Sequence, residues 1–170
     1  HHGKNILEFG NVLSHYYKVD HDILDKYEKA YGVMNEDVVD FRPQKRYDLI
    51  VSISTIEHVG WDEHVAHPGR DPSKIHRALS ALQKCLVPGG YMVFTIPFGQ
   101  NQYLDSLLCR EHNIFSDMFY LKRISADNKW REACWNDITC TRYDYPYISA
   151  HGLIIAVLHD NAKRGSTCLL

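Results

Sequence analysis

The chain has 170 residues, 45% of them hydrophobic, enough for one domain with its own core, and a formal charge of −2. That charge gives no field to gather nucleic acid or an anionic membrane, and no Lys/Arg block exceeds short pairs such as Lys45-Arg46, so small-molecule chemistry or protein contact is expected. Five scattered cysteines, Cys85, Cys109, Cys134, Cys140 and Cys168, contain no Cys-x-x-Cys pair; they argue against a disulfide framework or a zinc knuckle and fit a reducing, cytoplasmic setting.

His1-His2 read as the end of an affinity tag, leaving 4–170 as a single expected domain. No apolar stretch is long enough for a membrane span, no signal peptide is evident, and Cys168-Leu169-Leu170 is one residue short of a prenylation box. The first expected strand is Ile6-Leu7-Glu8-Phe9-Gly10. An acidic residue inside an apolar strand is costly to bury without a partner, so Glu8 is expected at a ligand-facing strand end, with Gly10 allowing a tight turn after it. One or two helical turns fit Asn11 to Tyr17. His21 to Asp25 reads as a second short strand ending in a carboxylate, and Val33-Met34 as a third, followed by Asn35-Glu36-Asp37 and a loop through Phe41-Arg42-Pro43.

Tyr47 to Ile53 is a nearly continuous apolar, β-branched run, the pattern of a strand buried on both faces of a parallel sheet. It turns polar at Ser54-Thr55-Ile56-Glu57-His58, which places Glu57 and His58 at the carboxyl end, where open α/β sheets bind ligands. After a histidine-rich loop from Trp61 to Arg70, Asp71-Pro72 reads as an N-cap with proline at the first helical position. Ile75, Ala78, Leu79, Leu82 and Leu86 then recur at helical spacing. Val87-Pro88-Gly89-Gly90 reads as the turn ending that helix, and Tyr91 to Ile96 as the next strand. Strand, helix, turn and strand make a βαβ unit, so the fold class is α/β. Further on, Tyr103 to Cys109 reads as a short helix and Met118 to Ile124 as a strand. Trp130 to Trp135 reads as an irregular or helical turn, and Gly152 to Leu158 as a last buried strand.

Acidic-x-Gly at the first strand, Asp25 at the second, Asn35-Glu36-Asp37 at the third, Tyr47-Asp48-Leu49-Ile50-Val51-Ser52 to Val59 at the fourth, and Leu86 to Pro97 at the fifth form a set. That set, covering roughly residues 6–98, resembles the class I S-adenosylmethionine-dependent methyltransferases. The likeness implies a Rossmann-like three-layer sandwich with a mostly parallel seven-stranded sheet and a terminal antiparallel hairpin, some helices being shortened or missing. It also implies S-adenosylmethionine as cofactor. Glu8, Gly10 and Asn11 would belong to the cofactor loop, Asp25 to the ribose with Glu28 as its neighbour and rival, Asp37 and Val38 to the adenine edge, and Ser52 and Ile53 to the methionine portion. A carboxylate suits a ribose because it accepts two hydrogen bonds at once. The first motif differs from the family pattern in carrying Gly10 as its single glycine.

For a hydroxyl acceptor the expected general base is His58, with Glu57 to orient or replace it. Gln100, Asn101 and Tyr103 are the expected acceptor contacts, and a sugar or other polar metabolite the expected acceptor. Two other readings stay open at this level. His58, Asp62, His64, His67 and His76 crowd one segment, and the His-x-x-His at 64 and 67 has the spacing for a metal-dependent hydrolase, although no further ligand completes a set. A non-catalytic interaction module of the same fold is the other. No resident metal is expected, and the oligomeric state is not legible.

Overall fold

A computed structural model describes residues 3–61, 70–111 and 114–160. One mixed sheet of eight strands organises it: β1 Ile6–Phe9, β2 Asp22–Leu24, β3 Val33–Met34, β4 Tyr47–Ile53, β5 Leu86–Pro97, β6 Asp117–Arg123, β7 Trp130–Ala133 and β8 Gly152–His159. Their spatial order is β3-β2-β1-β4-β5-β8-β6-β7. The first five strands are parallel, and β8 runs antiparallel between β5 and β6. The α/β class is as the sequence indicates, but the sheet has eight strands, not seven. The extra strand is β7, in the Trp130 to Trp135 stretch expected to be irregular: it pairs with β6 in the register Tyr120↔Ala133 to Arg123↔Trp130 and forms the sheet edge.

Among the described residues three α-helices are interleaved with the strands: α1 Lys74–Lys84, α2 Gln102–Arg110 and α3 Trp135–Thr139. Their apolar stripes, Ile75, Ala78, Leu79 and Leu82 on α1, Leu104, Leu107 and Leu108 on α2 and Ile138 on α3, join one core cluster with Ile50, Met92, Phe94, Ile96, Ile154 and Ala156. Because side chains alternate along a strand, these sheet residues share one face. The alternate set, Leu49, Val51, Ile53, Val93, Ile155 and Val157, stays half-buried and outside that cluster. Among the described residues the domain is therefore two-layered, not the expected three-layer sandwich. The cause lies in the short connections: a single 3₁₀ turn, Leu13–His15, joins β1 to β2, and no helix joins β2 to β3 or β3 to β4.

Local chemistry moved two expected boundaries. Asp71 does not cap α1. Its carboxylate accepts from the Ser73 hydroxyl at 2.6 Å and the Arg77 guanidinium at 2.5 Å, and the helix starts at Lys74. The Pro88-Gly89-Gly90 run is not outside the fifth strand but a bulge within it, since Tyr47 pairs with Leu86 while Leu49 already pairs with Tyr91. Gly89 there takes a φ of 81°, a left-handed conformation open to glycine without steric cost.

Candidate functional site

The strand order reverses between β1 and β4, with the chain moving outward to β2 and β3 on one side and to β5 on the other. In an open α/β sheet the crevice beyond the carboxyl ends of the strands at such a point is the natural ligand site. A cavity of about 500 Å³ lies there, walled by Phe9 and Gly10 at the end of β1, Asp25 to Glu28 after β2, Asp37 and Val38 after β3, and Thr55, His58 and Val59 after β4.

The floor is a buried polar junction. Glu8 is fully buried, and its Oε1 accepts from the Val12 and Leu13 backbone N–H groups at 2.8 and 2.7 Å. Its Oε2 meets His21 Nε2 at 2.8 Å. The carboxylate thus folds the loop after β1 back over the strand. Glu8 does not line the cavity; it shapes the loop that does. Gly10, at φ 89°, presses against Thr55: a Cβ at this position would come within 2.1 Å of the Thr55 hydroxyl. Asn11 is buried beside it and donates its backbone N–H to Asp25 Oδ2 at 3.1 Å.

Asp25 ties the second wall to the first. While Oδ2 accepts from Asn11, Oδ1 accepts from the Tyr27 and Glu28 N–H groups at 2.8 and 2.9 Å. Glu28, three residues on, lines the same cavity, and its Oε1 meets His15 Nε2 at 3.0 Å. Two carboxylates therefore stand on one wall, one engaged with backbone and the other with an exposed imidazole. Asp37 Oδ2 accepts from Lys26 at 2.8 Å and Lys74 at 2.7 Å, linking the third strand's loop to the second and to the start of α1. Burial alone would raise the Asp37 pKa, but the two ammonium groups and the Val39 N–H outweigh it and hold the carboxyl at about 2.

The 3₁₀ turn Ile56–His58 after β4 directs Glu57 inward, where its side chain is fully buried, and leaves His58 45% exposed at the cavity wall. Glu57 Oε1 lies 3.9 Å from His58 Nε2. Gln100, in the loop after β5, reaches His58 Nε2 at 3.3 Å. Asn101 is instead structural: its side-chain oxygen caps α2 by accepting from Tyr103 and Leu104 N–H, and its amide donates to the Glu57 carbonyl at 2.7 Å. The Tyr103 hydroxyl turns to His76 at 3.4 Å. Neither Asn101 nor Tyr103 lines the cavity.

Ser52 and Ile53 do not line it either. Ser52 is buried on the helix-covered face in register with Phe94, and Ile53 points to the opposite face, so Thr55 stands at the position expected of them. One residue absent from the sequence reading is Asp105 on α2. Both its oxygens accept from the Gly99 N–H, at 3.1 and 3.3 Å, so it holds the loop that carries Gln100 to His58. Burial pushes its pKa up to about 6, against the lowering effect of the Gly99 bond. The only sequence signal was an Asp four residues after an Asn N-cap.

His64 and His67, with Asp62, lie outside the described residues. Among those described, no group of three or more His, Cys, Asp or Glu side chains is arranged to hold a metal. No described helix is long and apolar enough to cross a membrane.

No family model and no curated protein matches the sequence. Solved structures do match. N-methyltransferase NodS from Bradyrhizobium japonicum WM9, in complex with S-adenosyl-L-homocysteine, is similar over 93% of this chain and 78% of its own, at 14% identity and a TM-score of 0.53. A second structure of NodS is similar over 92% and 85%, again at 14% identity and a TM-score of 0.53. The sheet order, the reversal between β1 and β4, and this likeness agree: the chain has the fold of the class I S-adenosylmethionine-dependent methyltransferases.

Proposed function

We propose that the chain transfers a methyl group from S-adenosylmethionine to a small polar acceptor such as a sugar. The observation that carries this reading is the cavity at the strand-order reversal. Its volume, about 500 Å³, lies within the roughly 300–1,000 Å³ usual for small-molecule sites. Its walls suit the cofactor's parts in order. Phe9 and Val38 offer apolar surface to a purine, with Asp37 at its edge. Asp25 and Glu28 offer carboxylate oxygens to ribose hydroxyls, and Gly10 with Thr55 borders the remaining space, toward His58. NodS, which shares the fold, was crystallised with the demethylated cofactor.

S-adenosylmethionine supplies a methyl group already activated on a sulfonium, so the protein's contribution is positioning and exclusion of water. Glu8, Asn11 and Asp25 hold the cofactor loop in one shape through their bonds to its backbone. His58, at the wall, takes the proton from the acceptor hydroxyl or ammonium on Nε2, the nitrogen that accepts from the Gln100 amide until the acceptor displaces it, with Glu57 close behind it. Asp105 and Asn101 act one step further back, on the loops that present Gln100 and the Glu57–His58 turn.

Calorimetric titration with S-adenosylmethionine and S-adenosylhomocysteine tests the reading. Both bind, and Asp25→Ala weakens both at least tenfold, about 1.4 kcal/mol, because the two cavity walls lose their shared acceptor. Absence of heat with either ligand would favour the non-catalytic interaction module.

A further inference from the structure

A second cavity, of about 440 Å³, lies at the other end of the sheet, between the carboxyl end of β6, β7 and the loop after α3. It shares no lining residue with the first. Lys122, Arg131 and Arg142 line it from three separate backbone segments, together with Tyr145, Tyr147 and His151.

Two observations show positive charge in excess there, and a third shows an unmet donor in the residue beneath it. Lys122 and Arg131 are directly paired in the β6–β7 register, and like charges placed opposite each other destabilise a ladder. Among the described residues, the Lys122 ammonium and the Arg142 guanidinium make no hydrogen bond or close ion pair, although Lys122 stands near enough to the Asp137 carboxylate to help hold its pKa down; Arg131 reaches Asp137 at a long 3.8 Å and the Glu132 carbonyl at 3.5 Å. His151 is 4% exposed, and its Nε2 accepts the Tyr147 N–H at 3.0 Å, which leaves the proton of the neutral ring on Nδ1; that buried atom has no partner. An unsatisfied buried donor is costly, and here it belongs to a residue that lines the cationic cavity, beneath its surface.

The nearby groups of other kinds are already engaged. Arg123 donates to the Ser125, Ala126 and Ile148 carbonyls and so builds the rim rather than binding a ligand. Asp144 accepts the Ser149 N–H at 2.6 Å, and Asp137 accepts the Cys134 N–H at 3.2 Å.

From this we infer a binding site for the phosphoryl group of a small molecule, separate from the cofactor cavity and independent of the methyl-transfer reading. Two guanidinium groups and an ammonium around one concavity match a dianion with oxygens on several sides, the recognition at which Arg excels. The Tyr145 and Tyr147 rings offer apolar wall to the organic part. A concave site bounded by aromatic rings suits a small ligand better than a polymer backbone, which a flat basic surface would serve.

The test titrates the full chain with inorganic pyrophosphate at fixed ionic strength, with and without saturating S-adenosylhomocysteine. One equivalent binds with the same affinity in both conditions, and Lys122→Gln and Arg142→Gln each weaken it at least tenfold while Lys84→Gln, a charge change on α1, leaves it unchanged. Circular dichroism of each variant reports folding, and thermal unfolding gives a second readout: pyrophosphate raises the wild-type Tm but not that of the Lys122→Gln/Arg142→Gln double variant. Absence of binding, equal weakening by Lys84→Gln, or displacement of pyrophosphate by S-adenosylhomocysteine would overturn the site. Tighter binding of a single-stranded RNA 20-mer, displacing pyrophosphate, would assign the cavity to a nucleic-acid backbone instead. Failure of S-adenosylhomocysteine to bind while pyrophosphate does would remove the methyltransferase reading and leave this site standing.

Discussion

Glu8 and His21 meet at 2.8 Å beneath the first strand's loop, the carboxylate fully buried and the imidazole nearly so. The same carboxylate holds the Val12 and Leu13 N–H groups, so one side chain satisfies three donors that the loop would otherwise leave in a dry environment. Glu8→Leu removes all three acceptances at once. It lowers stability by about 3 kcal/mol or more in urea unfolding, as expected for breaking a buried charged network, and weakens S-adenosylhomocysteine by loosening the loop. Glu8→Gln keeps one acceptor oxygen and costs about 1 kcal/mol.

His58 stands at the cavity wall with Gln100 and Glu57 around it. His58→Ala lowers kcat by about 10²- to 10⁴-fold, the usual contribution of a general base, while calorimetric affinity for S-adenosylhomocysteine stays within about threefold. A loss of affinity matching the loss of rate would make His58 a binding group only.

Asp105 titrates at about 6 in the folded chain against an ordinary value of 3.8. The folded state therefore holds this proton more tightly than the unfolded one, and the resulting stability is full below pH 4 and lost as pH rises through 6. Asp37 has the opposite sign: held at about 2, its contribution is present above pH 4 and lost as pH falls. The two windows separate. Asp105→Asn, which keeps an acceptor for the Gly99 N–H, matches wild type near pH 4 and exceeds it at pH 7. The gain is about 1 kcal/mol, discounted for the carboxyl's partial solvent access, or about 3 °C in Tm. Thermal unfolding across pH 4 to 7 measures it.

The two faces of the sheet respond differently to truncation. Phe94 is fully buried under the helices and packs against the tilted ring of Phe115, 5.6 Å between centroids, whereas Val93, next to it in the same strand, is half-buried on the open face. Phe94→Ala costs about 3–5 kcal/mol and Val93→Ala about 1 kcal/mol or less, read from denaturant midpoints.

Much of the fold was legible because its signals are local. The apolar run at Tyr47 to Ile53, the helical spacing from Ile75 to Leu82 and the Gly152 strand each report their own burial, and the structure has them as strand, helix and strand. The edge strand Trp130–Ala133 was hidden because Trp-Arg-Glu-Ala carries no apolar alternation: an edge strand draws its stability from ladder bonds to β6, which leave no mark on composition. The site was half legible. Strand-end carboxylates together with the family resemblance singled out Gly10, Asp25, Asp37, Val38 and His58, and these five line one cavity. Sequence could not tell a carboxylate facing the cavity from one, like Glu8, turned under a loop, because that depends on a partner thirteen residues away. Nor could it foresee that Ser52 would be drawn under the helices while Thr55 took the wall.

In the proposed function the cavity beyond β1, β2 and β4 holds S-adenosylmethionine. A crystal structure of the full chain grown with S-adenosylhomocysteine tests it most directly. The expected density has the purine beside Val38, the ribose hydroxyls within hydrogen-bond reach of Asp25 or Glu28, and the sulfur on the side of the cavity nearest Gly10, Thr55 and His58. Ligand density elsewhere, at the Lys122–Arg142 cavity for instance, or a crystal with no ligand despite saturating concentrations, would contradict it.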